Sequence, residues 1–222
     1  MKYIIRSLSY IFHPLLMPLA GVVLYFQISP RFFTTSFLFS KIFATSIMTV
    51  VIPILSYFML KNLNVVTEIH LKNVKERRYP LLLQLLFTFL LINIVFKGYE
   101  IPELYFFFVG ILASSLAAFI LVLAKFKASL HLIGVSGVLT FIIGLSIHFN
   151  QNLLILIALL IIGCGGTATS RLDAKAHTYL ELIIGFFVFL SMSGVSQVNS
   201  GKIVFERKTN LLKKYTDDRM KA

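Results

Sequence analysis

The sequence predicts an all-α fold, a polytopic transmembrane helix bundle of seven helices, with six as the next reading. Composition is the first reason: 58% of residues are hydrophobic and 14% charged, and mean hydropathy is +0.87, whereas soluble domains carry about 25% charged residues. The second is segregation of charge. Charge-free runs occupy Ser7 to Pro30, Ile42 to Leu60, Tyr79 to Phe96 and Leu104 to Ala124, then a 43-residue stretch from Ala128 to Ser170, then Leu182 to about Val195. A helix crosses the hydrocarbon core in about 20 residues.

The first run follows Lys2 and Arg6 but exceeds the apolar core of a signal peptide and lacks a small-residue cleavage site. It is expected to remain as one helix, with Pro14 and Pro18 in its first half. The 43-residue stretch divides into two crossings at Asn150-Gln151-Asn152. Cys164 is the sole cysteine, which excludes an internal disulfide or multi-thiolate metal site, and its apolar neighbours predict a buried, inert thiol. No repeat or glycine-rich phosphate loop interrupts the chain. The composition turns polar and basic at Lys202, so residues 1–201 are read as one membrane domain and 202–222 as a tail. Membrane lipids are the expected surroundings, and no nucleic acid is expected.

Charge beside a bilayer is costly and either anchors a helix end or serves a site. Three polar connections stand out: Lys72 to Pro80, Lys125 to His131, and Ser170 to Glu181. Two crossings separate each from the next, so all three return to one face of the membrane. Their pooled side chains are mostly cations, with His131, His177, Ser129, Ser170 and the carboxylates Glu76, Asp173 and Glu181. That mixture suits capture of an anion with several oxygens and attack by a neutral imidazole. On a helix beginning at His177, Glu181 would follow at i+4, roughly 40° around the axis, where a carboxylate reaches the ring. A phosphate ester is the candidate substrate.

These residues resemble the type 2 phosphatidic acid phosphatase superfamily of membrane lipid phosphatases. Its third motif, Ser-Arg, five residues, His, three residues, Asp, is matched by Ser170, Arg171 and His177, with Glu181 for the aspartate. Its Pro-Ser-Gly-His motif is similar to Ala128-Ser129-Leu130-His131, without the proline and glycine. Its Lys, six residues, Arg-Pro motif is approximated by Lys72 or Lys75 with Arg78 and Pro80, Tyr79 intervening. Two hydrophobic runs separate the first two motifs here, whereas the family places both in one connection.

The resemblance implies that His177 is the nucleophile of a phosphohistidine intermediate, that Glu181 orients its ring, and that His131 is the general acid. It assigns phosphate binding to Arg171, Arg78, Lys72 or Lys75, and Ser129. It implies turnover with no metal or cofactor, a lipid phosphate or isoprenyl diphosphate substrate, and an outward-facing site in a bacterial inner membrane. Leu130 for glycine puts a branched side chain where the family brings backbone close to phosphate.

Structural readings stand beside these. Thr178 and Glu181 fit a helix capping box, Lys72 to Arg78 fits a positive-inside anchor, and Gly163, Gly165 and Gly166 fit close helix packing. His13, His70 and His148 are expected to be interfacial or buried hydrogen-bonded histidines. The motif face, with the N-terminus, carries 11 Lys and Arg, against three on the opposite connections and seven in the tail. A catalytically inert relative that binds anionic lipid or supports a membrane complex is the alternative. A transporter fits least, because the charges sit at helix ends rather than mid-membrane.

Overall fold

A computed structural model describes the backbone of residues 2–65, 74–98 and 100–188, and the side chains of these except 2–6, 74 and 75. The described residues form helices and connections, with no strand. In chain order they are α1 (Lys2–Ile11), α2 (Met17–Ile28), α3 (Thr35–Ser46), a π segment (Ile47–Val51), α4 (Ile52–Asn62), a 3-10 turn (Val74–Arg77), α5 (Arg78–Ile94), α6 (Pro102–Leu123), α7 (Leu130–Phe149) and α8 (Leu154–Asp173). A further apolar helix, α9 (Tyr179–Val188), follows. Lys72, His70 and the tail from Lys202 onward lie outside the described residues.

Among the described residues, four helices are long and apolar enough to cross a membrane: Thr35–Asn62, Pro102–Leu123, Leu130–Phe149 and Leu154–Asp173. They are compatible with an integral membrane protein. The first of them runs unbroken from α3 to α4 because the π segment absorbs Pro53. Proline has no N–H and its ring clashes with the carbonyl four residues back, and a wider turn relieves both problems.

The run from Ser7 to Pro30 is not one helix, contrary to the sequence expectation. It breaks between α1 and α2, because proline disfavours helical backbone in the residue before it and Pro14 acts on His13 in this way. The two halves pack on different partners. Against α8, a Cβ on Gly163 would sit 2.6 Å from the Phe12 ring and one on Gly166 2.5 Å from Leu8, and Ser9 Oγ lies 2.7 Å from Ser170 Oγ. Gly21 of α2 is packed as tightly against Phe107 of α6.

Helix α7 is the central strut. Val135, Val138 and Ile142 on it are among the largest fully buried side chains, and Phe141 stacks on Phe107 at 4.3 Å. Cys164 is buried, as expected. At the end of α7 remote from the three motif connections, the buried carboxylate of Glu103 accepts from Arg31 Nη2 at 2.6 Å and from the Tyr25 hydroxyl at 3.2 Å, and His148 Nε2 lies 3.2 Å from it. This clamp fixes α2, α6 and α7 at that end, with His148 beside Glu103.

Candidate functional site

The other end of α7 carries the motif residues. Both connections there begin with the same chain reversal. After α6, the Phe126 N–H donates to the Leu121 carbonyl and Lys125 takes a left-handed backbone; after α8, the Ala176 N–H donates to Arg171 and Lys175 does the same. Glycine or asparagine holds that conformation at lower cost. Lysine at both positions instead adds charge beside the site.

Helix α9 starts at Tyr179, after His177 rather than on it. Thr178 caps it: Thr178 N–H donates to Glu181 Oε2 at 3.1 Å, and Glu181 N–H to Thr178 Oγ1 at 3.4 Å. The same Oε2 also accepts from His177 Nδ1 at 2.9 Å. Capping and ring orientation are therefore one arrangement. With the proton on Nδ1 facing the carboxylate, Nε2 keeps its lone pair.

Ser129 joins the two connections. Its N–H donates to the Glu181 carbonyl at 3.2 Å, and a Cβ on Gly185 would stand 2.9 Å from the Ser129 carbonyl oxygen and 3.1 Å from its nitrogen. Those neighbours are backbone and give little. Gly185→Ala is expected to lower stability by about 1 to 3 kcal/mol, visible as a lower thermal midpoint of the detergent-solubilised protein. Lys127 adds a second tie, donating from Nζ to the Ala176 carbonyl at 3.0 Å.

An open hollow of about 390 Å³ lies over these ties, lined by Lys127, Leu172, Lys175, Ala176, His177, Thr178 and Glu181. The His177 side chain is only 2% exposed. Burial, opposed by the hydrogen bond to Glu181 and reinforced by the charges of Arg77 and Lys127, brings its pKa down to about 4. The sign follows directly: His177 is neutral above about pH 4. Any activity that needs the neutral ring is expected to rise through pH 4 and to show no inflection from this group near its ordinary value of 6.5. A pH–rate profile of kcat/KM checks it.

The three connections converge electrostatically. Arg77 is buried, and its pKa is lowered by that burial, with Glu181 opposing and Arg171 assisting. Lys127 is lowered by burial and by Arg77 and Arg171, against Glu181. With Lys127 and Lys175 against Glu181 in its lining, the hollow is electropositive. The ring of His131 is within electrostatic reach of Arg171 and His177.

Three side-chain donors from the expected phosphate-binding set, Arg78 Nε, Arg171 Nε and Ser129 Oγ, are buried without a hydrogen-bond partner among the described residues. Lys75 belongs to the 3-10 turn, but its side chain lies outside the described residues. His131 and Arg171 do not line the hollow, whereas the roles that the resemblance implies for them would place both around one cavity with His177.

Arg77, Lys127 and His13 were missing from the expected site. Arg77 and Arg78 are adjacent, and only the 3-10 turn that ends at Arg77 distinguishes their surroundings. Lys127 sits two residues before Ser129, a spacing that could have drawn notice. His13, expected to be an interfacial or buried hydrogen-bonded histidine, meets His131 in a T-shaped ring pair with centroids 5.3 Å apart. No family model, curated protein or solved structure matches the chain.

Proposed function

We propose that the chain is a membrane-embedded hydrolase that removes phosphate from a lipid phosphate or an isoprenyl diphosphate, as a divergent member of the type 2 phosphatidic acid phosphatase superfamily. The observation that carries this reading is the His177 Nδ1 to Glu181 Oε2 contact of 2.9 Å at an electropositive hollow. The unpartnered donors of Arg78, Arg171 and Ser129 support it. Phosphate oxygens would satisfy them, and guanidinium groups make paired bonds to such oxygens.

In this reading His177 Nε2 attacks phosphorus, the P–O bond to the leaving group breaks, and His131 donates a proton to the departing oxygen. Glu181 stabilises the imidazolium-like ring. Water, deprotonated by His131, then attacks the phosphohistidine, the P–N bond breaks and phosphate leaves. Lys72 or Lys75 would join Arg77, Arg171 and Arg78 on the phosphate. The helices α2, α5 and α9 supply three shorter crossings beside the four full-length ones, which makes seven, and the site faces outward from a bacterial inner membrane.

A second reading, an inert relative that binds anionic lipid, is favoured by the absence of His131 and Arg171 from the lining of the hollow. Phosphate release from a panel of lipid phosphates, with and without chelator, separates the two. The hydrolase reading expects chelator-insensitive release from at least one amphiphile; saturable vesicle binding with no release from any substrate supports the inert relative.

A further inference from the structure

The break between α1 and α2 places chemistry that none of the three motifs contains. His13 stands at that break, 118 positions before His131 in the sequence, and their rings meet edge to face at 5.3 Å. The backbone N–H of Leu15 donates to His13 Nδ1 at 3.3 Å, so the neutral ring carries its proton on Nε2 and its orientation is fixed by its own turn. The approach of the break to α7 is close: a Cβ on Gly134 would meet Met17 Cγ at 3.0 Å and Pro14 Cα at 3.4 Å.

The same segment approaches His131 from another direction. The Ser9 backbone is within electrostatic reach of the His131 ring, and Ser9 Oγ lies 2.7 Å from Ser170 Oγ, next to Arg171. Tyr10 is within electrostatic reach of Arg171. His131 thus has the ring of His13 and the backbone of Ser9 beside it, both from the N-terminal helix pair, while Arg171 and His177 act on it electrostatically from α8 and its following connection.

We infer that His13 is a positioning residue, whose ring holds His131 in the orientation from which it exchanges a proton with the leaving oxygen. The inference rests on the hydrolase reading above and extends it to the N-terminal helix pair. The T-shaped contact with His13 opposes rotation of the His131 ring. A ring nitrogen of His131 is left to serve the substrate. Shape rather than proton chemistry is what His13 contributes, so another flat ring should replace it.

The test uses the full-length protein in detergent with two substrates, a long-chain alkyl phosphate, whose alkoxide must be protonated, and an aryl phosphate, which leaves without help. General acid catalysis is worth about 10² to 10⁴-fold. His13→Ala is expected to cut kcat/KM, which covers only formation of the phosphohistidine, about 100-fold on the alkyl phosphate and less than about 10-fold on the aryl phosphate, the pattern expected also of His131→Ala. His13→Phe, which keeps a ring in place, is expected to restore most of the alkyl phosphate rate. The inference is overturned if His13→Ala lowers both substrates equally, if it lowers neither, or if His13→Phe is as impaired as alanine. In those cases a wild-type enzyme that turns over and a dead His177→Ala variant leave the hydrolase reading standing. A wild-type protein inert toward both substrates removes that reading, and the inference with it.

Discussion

His177→Ala is expected to abolish phosphate release from any substrate the wild type accepts, lowering kcat by about 10⁴-fold or more. Loss of a nucleophile removes the covalent route altogether, and only binding and electrostatic effects remain to help water. The side chain is 2% exposed, so its truncation also opens a small void beside Glu181. Unfolding must therefore be measured alongside activity. His177→Asn, which can keep a donor toward Glu181 but is no nucleophile, should be as inactive as alanine with a thermal midpoint nearer to the wild type.

The second large effect is expected at Glu181, where two substitutions separate two jobs. Its carboxylate caps α9 through Thr178 and holds His177 through Nδ1. Glutamine can serve in a capping box as glutamate does, but it brings no charge to an imidazolium-like ring. Glu181→Gln is expected to leave the thermal midpoint within a few degrees of the wild type while lowering kcat about 10² to 10³-fold, in the direction seen when the acid behind a catalytic histidine is neutralised. Glu181→Ala loses both roles and should add about 1 kcal/mol of destabilisation from the missing cap. Equal activity in glutamine and wild-type proteins would reduce Glu181 to a helix cap.

Long apolar helices were legible in most of the charge-free runs, but not in Ser7 to Pro30. The runs ending in Asn150 to Asn152, and those flanking Lys125 and Lys97, produced α6, α7 and α8 within a few residues, because desolvating a charge is the strongest term in the sequence. Position along the chain was enough there. Backbone interruptions were less so: Pro14 and Pro53 are both visible prolines, yet one separates two helices and the other is absorbed in a π segment. What differs is packing, since α1 and α2 dock on different helices, α8 and α7, whereas α3 and α4 continue as one rod.

The site divides in the same way. His177, Thr178 and Glu181 are close in sequence, and their geometry follows from a single capped helix end, so both the capping and the ring contact could be foreseen. Ser129 and His131 were found by type and spacing. Arg77 against Arg78 depended on a 3-10 turn that no pattern announces. His13 depended on a break that lets a residue near the N-terminus lie against α7, a long-range contact with no local signature.

The central claim is that His177 Nε2 bonds covalently to phosphorus during turnover. Rapid quench of the full-length protein with a lipid phosphate, followed by mass mapping of the peptide holding residues 176–202 under alkaline conditions that preserve phosphohistidine, tests it most directly. The expected result is one phosphate on His177, absent in His177→Ala and accumulating in a variant impaired in the hydrolysis step. Sustained turnover with no phosphate on His177, or with the label on His131 instead, would contradict the account.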